Sequence, residues 1–235
     1  VVKSGSRRPI EISRFIFASS CSIYHRDGNN HHVYVENDPV APQEYYSHSK
    51  YVAEQMILPL ATNEFAVTIL RKGTVCGYSP RLRLDLAVNT MVKSALSSGK
   101  LIVNDGKQYR PFIDVNDVAR AYLVLLKAPV DKINRQIFNL SGRNYTILPL
   151  AKEIRKILGR LLHRDFDVEI HRKVKDRTYK VSTRKLTRAL GFKPKWDMKK
   201  SVISLLKHLR QPGFDFDNPL YYNIERMKQL FPQWK

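Results

Sequence analysis

Cysteines, long apolar runs and acidic residues are all scarce in this sequence, and each shortage excludes a class of protein. Two cysteines, Cys21 and Cys76, are too few for a disulfide framework or a cysteine-based metal cluster. We therefore predict a reducing, cytoplasmic location, no metal site, and two cysteines that pack as small apolar side chains. No apolar run approaches the ~18 residues of a membrane span, and residues 1–9 contain no signal-peptide core.

The shortage of acidic residues leaves a formal net charge of +20, from 41 Lys and Arg against 21 Asp and Glu. Much of the excess lies between residues 151 and 210, which hold 19 basic and 6 acidic residues. Such a charge indicates either a polyanionic partner or a solvated basic surface with a few arginines held for substrate phosphates. The basic residues form no long block and accompany no nucleic-acid-binding module, which favours the second interpretation and argues against nucleic acid as a partner.

Residues 14–22 predict a strand that ends in a ligand site. The run Arg14-Phe-Ile-Phe-Ala18 is β-branched and aromatic, as in a buried central strand. Small side chains, Ser19-Ser-Cys-Ser22, follow at its carboxyl end, the edge where open α/β sheets bind their ligands.

Tyr46 and Lys50 open the next helical pattern and are candidates for acid/base chemistry. Because they are four residues apart, a helix places them on one face. An ammonium group there favours the phenolate of Tyr46, and Ser20 could hold the substrate hydroxyl whose proton moves. The alternative is that they are two surface residues, because Tyr-x-x-x-Lys is a common pattern. The serines upstream favour the catalytic interpretation.

Several motifs, in order along nearly the whole chain, resemble one family. They are Phe15-Ile-Phe-Ala-Ser-Ser-Cys-Ser-Ile-Tyr24, Pro42-Gln-Glu-Tyr-Tyr-Ser-His-Ser-Lys50, Leu70-Arg-Lys-Gly-Thr-Val-Cys-Gly77, Arg110-Pro-Phe-Ile-Asp-Val-Asn-Asp117 and Phe138-Asn-Leu-Ser141. The sequence resembles the extended short-chain dehydrogenase/reductase family of NAD-dependent nucleotide-sugar epimerases and dehydratases.

The resemblance implies an α/β fold: the carboxyl-terminal part of a Rossmann-type doubly wound parallel sheet with a small α/β substrate-binding domain. Residues 1–141 would form a partial NAD(P)-binding domain, with substrate-domain insertions around 81–110. Residues 142–235 would form the substrate-binding domain and an aromatic tail. The ten glycines nowhere give the Gly-rich turn of the family, so we expect the half of the cofactor domain that carries this turn to be absent from this chain.

The resemblance also assigns roles to residues. Ser20, Tyr46 and Lys50 would be catalytic, with Tyr46 as the base, Lys50 bonding the nicotinamide ribose of NAD or NADP, and Ser20 polarising the substrate oxygen. The remaining cofactor contacts would be Ser19, Gly73 and Val75, and the contacts with a nucleotide-diphosphate sugar would be Ser22, Thr74, Asn89, Arg110 and Arg177. A homodimer formed through the helix that carries Tyr46 is a further family expectation.

These assignments predict a 4-epimerase that works through a keto-sugar. The 4,6-dehydratases of the family place an acidic pair immediately after the residue matching Ser20, where this chain has Cys21 and Ser22, so water elimination is not expected. Asp114 and Asp117 are rejected as a catalytic pair, because the family uses this segment to dock a helix. Reductase and decarboxylase chemistry stay open beside epimerisation. Two alternatives of another kind also stay open: a non-catalytic scaffold of this fold in a larger basic assembly, and an RNA-associated protein built on it.

Three local signals predict how elements begin and end. Asp85 is predicted to cap a helix that ends at Gly99, and Asn116 to cap a second one. Gly191 is predicted to lie just past the end of a short helix from Thr183 to Leu190.

Overall fold

The structure, a computed structural model, describes residues 12–24, 32–171 and 178–234. The strands are β1 (Arg14–Ser20), β2 (Val33–Tyr34), β3 (Ala66–Lys72), β4 (Thr74–Cys76), β5 (Lys100–Asn104), β6 (Tyr109–Asp114), β7 (Gln136–Leu140), β8 (Arg143–Thr146), β9 (Asp167–His171) and β10 (Lys180–Val181). The helices are α1 (Tyr45–Ile57), α2 (Ala87–Ser98), α3 (Val115–Lys127), α4 (Val130–Ile133), α5 (Ile147–Leu162), α6 (Arg184–Leu190), α7 (Met198–Leu209) and α8 (Asn223–Leu230).

The central sheet is parallel, with strand order β1-β3-β7. The middle strand, β3, is buried from Ala66 to Arg71, as expected for a strand covered on both faces. Ser20 is in register with Lys72, and Lys72 with Leu140, so the carboxyl ends of all three strands meet at one edge.

Helices cover both faces of this sheet. One face packs Val67 and Ile69 against Phe17 and the end of α1. The other packs Leu70 and Phe138 against residues of α3 and α6. This arrangement is the predicted doubly wound, Rossmann-type architecture, because the side chains of each strand alternate between two helical layers.

A second and larger core lies beyond the sheet. It joins α2, α5 and α7 with the parallel pair β5-β9 and includes Met91, Leu101, Ile154 and Val202. Aromatic residues of the tail pack on its edge: Phe214, Phe216, Tyr221 and Tyr222. The helix α6 packs with the sheet cluster instead, so residues after 142 contribute to both cores.

Both predicted caps on the amino ends of helices were wrong. The carboxylate of Asp85 forms two hydrogen bonds with the guanidinium of Arg83, at 2.6 and 2.9 Å, and Leu86 occupies the cap position of α2. Asn116 lies inside α3, where Asp114 is the cap and accepts a hydrogen bond from the Asn116 N–H at 2.8 Å. The Asp85 carboxylate thus bonds to a neighbouring side chain instead of the helix end, and the cap of α3 is the aspartate two residues before Asn116.

The predicted helix ends were right. Gly99 ends α2 with φ 74°, and Gly191 ends α6 with φ 66°. This left-handed conformation suits glycine because it has no Cβ to clash with the backbone.

Candidate active site

Ser20 lies at the carboxyl end of β1, beside a second serine. Its Oγ is 2.9 Å from the Oγ of Ser22 and accepts a hydrogen bond from the Ser22 N–H at 3.2 Å. Ser22 is buried in the short 3-10 helix that follows β1, Cys21–Tyr24. The pair therefore has a fixed geometry, with Ser20 as the more accessible of the two hydroxyls.

Tyr46 and Lys50 lie on one face of α1. The Lys50 Nζ is 5.8 Å from the centre of the Tyr46 ring and 5.1 Å from the Phe17 ring. The helix starts here because the Glu44 N–H donates to the Ser47 Oγ at 3.1 Å, which ties down its first turn. The Tyr46 side chain is open to solvent, and Lys50 has no acidic partner among the residues that the structure describes.

A buried polar network behind these residues escaped the sequence analysis. Ser19 donates to the carboxylate of Glu54, which also accepts from Arg71 Nη2 at 2.6 Å. Arg71 Nη1 in turn donates to Tyr24 Oη at 2.7 Å, and Tyr24 donates to Asn139 Oδ1 at 2.8 Å. The predicted cofactor residue Ser19 is thus buried, with its hydroxyl bonded inside the protein.

The network determines which side of α1 faces the protein. Val52 and Met56 are exposed, whereas Ser47 and Glu54 are fully buried. The available signal was the spacing of Ser47 and Glu54, because two residues that are seven positions apart lie on the same face of a helix.

Lys72 is a second basic group at the same edge, also missed from the sequence. Its Nζ lies 5.9 Å from the centre of the Tyr122 ring. Burial lowers the pKa of Lys72 below its usual range, and the positive charge of Lys50 lowers this pKa further. Two ammonium groups thus repel each other beside Ser20, which makes this edge attractive to an anion.

The predicted substrate residues occupy different environments. Thr74 begins β4, opposite Phe112 of β6, and is partly exposed. Asn89 is buried: its amide donates to the Arg83 carbonyl at 2.9 Å, and its Oδ1 accepts from the Gly77 N–H at 3.2 Å. It therefore fixes the loop between β4 and α2, and its contact with a nucleotide stays a prediction.

Two arginines were predicted to bind the diphosphate. Arg110 is almost buried in β6, with its guanidinium 5.2 Å from the centre of the Tyr179 ring and an Nη1 hydrogen bond to the Tyr109 carbonyl at 3.0 Å. Arg177 lies outside the residues that the structure describes, so its role stays a prediction.

The two predicted backbone contacts of the cofactor adjoin the sheet edge. The Gly73 N–H donates to the Leu140 carbonyl at 2.8 Å, and a Cβ at this position would lie 2.8 Å from the Pro111 carbonyl oxygen. Val75 packs against the sheet core. Close packing of strands thus explains the glycine, and its contact with a cofactor stays a prediction.

Asp114 and Asp117 are bonded inside the protein, which agrees with their rejection as a catalytic pair. Asp117 accepts from the backbone N–H groups of Lys195 and Trp196 at 2.8–3.0 Å and pairs with Arg120. Asp114 accepts from the Ser201 hydroxyl at 2.5 Å. These bonds dock α7 and the segment before it onto the start of α3.

Comparison with known proteins identifies the family. The model of the NAD dependent epimerase/dehydratase family matches residues 2–141. The chain belongs to this family. The NAD dependent epimerase/dehydratase family includes the nucleotide-sugar enzymes that the motifs of residues 15–141 resemble, and the family match confirms that resemblance and the expected nicotinamide cofactor at the level of the family.

The relatives include proteins named as dehydratases and proteins named as epimerases. The chain is 24% identical over 230 residues to human dTDP-D-glucose 4,6-dehydratase, covering 94% of this chain and 62% of that protein. It is 29% identical over 156 residues to a Bacillus subtilis protein described as an uncharacterized UDP-glucose epimerase, covering 65% of this chain and 47% of that protein. The chain thus spans less than two thirds of the length of these relatives.

A solved structure shares the fold. UDP-glucuronic acid 4-epimerase from Bacillus cereus, in complex with UDP-glucuronic acid and NAD, superimposes with a TM-score of 0.72 at 22% sequence identity, over 86% of this chain and 63% of that one. This likeness establishes the Rossmann-type fold.

Within residues 12–24, 32–171 and 178–234, no group of three or more His, Cys, Asp or Glu could hold a metal ion. No helix in this part of the chain is both long and apolar enough to cross a membrane.

Proposed function

We propose that this chain is the catalytic part of an NAD(P)-dependent nucleotide-sugar 4-epimerase. The observation that carries the proposal is the placement of Tyr46 and Lys50 on one face of α1, with the Lys50 ammonium 5.8 Å from the Tyr46 ring. Ser20 ends the strand β1, against which α1 packs. A hydroxyl, a phenol and an ammonium group at one sheet edge are the groups needed to remove a proton from a sugar hydroxyl.

The residues of this chain fit a nicotinamide cofactor at that edge. Lys50 has no acidic partner among the described residues, so its ammonium is available to donate to a ribose hydroxyl. Lys72 adds positive charge near a bound dinucleotide, which is anionic. When bound, NAD supplies the hydride acceptor and donor.

In the proposed mechanism, the Tyr46 phenolate takes the proton of the substrate hydroxyl as the sugar is oxidised to a keto-sugar. Lys50 stabilises the phenolate by its charge. The Ser20 hydroxyl bonds the same substrate oxygen and fixes its position, while the bond to Ser22 restricts rotation of Ser20. Tyr46 returns the proton when the sugar is reduced on its other face.

Residues 21 and 22 favour epimerisation over dehydration. Cys21 is buried, with its Sγ 3.1 Å from the Arg71 carbonyl oxygen, and burial raises the pKa of its thiol far above neutral pH. Ser22 is buried as well. Neither side chain can supply the carboxylic acid that water elimination requires, so we propose that the sugar changes configuration without losing water.

The test compares two neighbouring tyrosines in the intact gene product. UDP-glucose and UDP-glucuronic acid serve as probes, with NAD present, and the products are resolved by NMR and mass spectrometry. Tyr46→Phe should lower the rate by at least about 10³-fold, whereas Tyr45→Phe, a change at a fully exposed side chain, should leave the rate unaltered.

The product distinguishes the reactions. An epimer has the mass of the substrate, whereas a product lighter by one water would contradict epimerisation. Full activity in Tyr46→Phe would remove the proposed mechanism. No NAD binding and no turnover with either probe would favour the scaffold alternative.

We also propose a homodimer formed through α1. Its outer face exposes Val52 and Met56, which lie one helical turn apart, and Leu60 follows in the next short turn. An exposed apolar surface of this kind is typical of a subunit interface.

A further inference from the structure

A separate cleft of about 1050 Å³ lies beside β7, an edge strand of the central sheet. It is formed by the ends of β2 and β10, the turn between β7 and β8, and α6. Its described lining residues include none of Ser20, Tyr46, Lys50, Thr74, Asn89 and Arg110.

Positive charge dominates this cleft. Four basic side chains line it: Arg143, Arg184, Lys185 and Arg188. None of them has a salt bridge in the part of the chain that the structure describes. Two of them lie near aromatic rings: the Arg143 guanidinium is 4.9 Å from the centre of the Tyr145 ring, and the Lys185 Nζ is 5.3 Å from that of Phe138.

Among the described lining residues of the cleft, one is acidic. Glu36 lines the cleft and attracts Lys185. Its Oε1, however, accepts a hydrogen bond from the Asn139 N–H at 2.8 Å, and the residue is only 8% exposed. The cleft therefore carries an excess of positive charge, which a bound anion would offset.

Lys185 lies near charges of both signs. Burial lowers the pKa of Lys185, the charge of Glu36 raises it, and the charge of Arg71 lowers it. Neutral donors stand beside the cations, since Ser182 and Thr183 also line the cleft and each has a hydroxyl hydrogen to give.

We propose that this cleft binds a compact ligand that carries two or more phosphate groups, at a site separate from the candidate active site. The planar guanidinium groups can each bond two phosphate oxygens. The described lining residues include no aromatic side chain, whereas single-stranded nucleic acid is usually held by stacking its bases on aromatic rings. The lining therefore favours a small polyphosphate over RNA.

The test measures binding of inorganic tripolyphosphate to the intact gene product by isothermal titration calorimetry. We expect saturable binding with one ligand per chain. The double variant Arg184→Gln, Arg188→Gln should raise Kd at least tenfold. The matched control, Arg155→Gln with Arg160→Gln, removes the same charge from exposed positions of α5 and should change Kd less than twofold.

A third variant and competition experiments test whether the phosphates bind in this cleft. Arg143→Gln, on the opposite wall, should also weaken binding, which covers the case in which the double variant does not fold. Competition by NAD or UDP-glucose would locate the phosphates in the candidate active site and overturn the proposal. It would also be overturned by absent or non-saturable binding, by equal losses in the two double variants, or by an RNA oligonucleotide that binds this cleft more tightly than tripolyphosphate.

Discussion

Arg71 and Glu54 form an ion pair inside the protein, with Arg71 Nη2 2.6 Å from Glu54 Oε2. The Arg71 side chain is 4% exposed and the Glu54 side chain is 0% exposed. Glu54 lies on α1, which also carries Tyr46 and Lys50, and Arg71 lies on β3. The pair therefore ties the candidate catalytic helix to the central strand of the sheet. Its bonds to Ser19 and Tyr24 extend this tie to β1 and the segment after it.

Glu54→Gln should lower the free energy of unfolding by about 3 kcal/mol, because it leaves the Arg71 guanidinium buried without a counter-charge. Chemical denaturation at neutral pH measures the change. The control is Glu169→Gln, which breaks the exposed contacts with Lys100, at 3.0 Å, and His171, at 2.6 Å, and should have no measurable effect. Equal effects of the two variants would contradict the structural role of the buried pair.

Lys72→Met should stabilise the folded chain by up to about 1 kcal/mol at neutral pH, because burial and Lys50 disfavour the charged form of Lys72 while solvent still screens its exposed part. Because the pKa of Lys72 is lower in the folded state, the unfolded chain binds more protons than the folded chain over the pH range between the two pKa values, and stability rises with pH there. The stability of the parent protein should therefore approach that of the variant as pH rises towards 10.5, the ordinary lysine value. Lys72→Arg, which keeps the charge, should show no gain, and a gain equal to that of Lys72→Met would exclude charge as the cause.

Val52→Lys with Met56→Lys should convert the proposed dimer into a monomer, because two charges would be buried in an apolar interface. Sedimentation equilibrium measures the mass. Ile203→Lys is the control, since this residue of α7 is also an exposed apolar side chain, at 40%. A parent protein that is monomeric at micromolar concentration would contradict the interface.

Cys21 and Cys76 should not react with a thiol reagent in the folded protein at pH 8. Both are buried, and burial together with the charge of Asp114 raises the pKa of Cys76 to about 12, so almost none of it is thiolate at that pH. Both should react within the mixing time in denaturant. Rapid labelling of either cysteine without denaturant would show that the fold opens around it.

Much of this protein follows from local sequence patterns. The strand β1, the helix that carries Tyr46 and Lys50, and the glycines that end α2 and α6 could be predicted because each depends on neighbouring residues: a β-branched run, a four-residue spacing, a residue with freedom at positive φ. The motifs that identify the family are equally local, and the family match confirmed them.

The tertiary structure decided which partners the polar side chains take. Glu54 and Arg71 each look like surface residues in the sequence, and only the packing of α1 on β3 makes them a buried pair. The bond of Asp117 to the backbone before α7, across more than seventy residues, depends in the same way on distant elements. Charged groups bond to whatever the fold brings near them, whereas helix and strand periodicity is set by the chain itself. That difference is why the elements of this protein could be predicted from its sequence and its buried polar network could not.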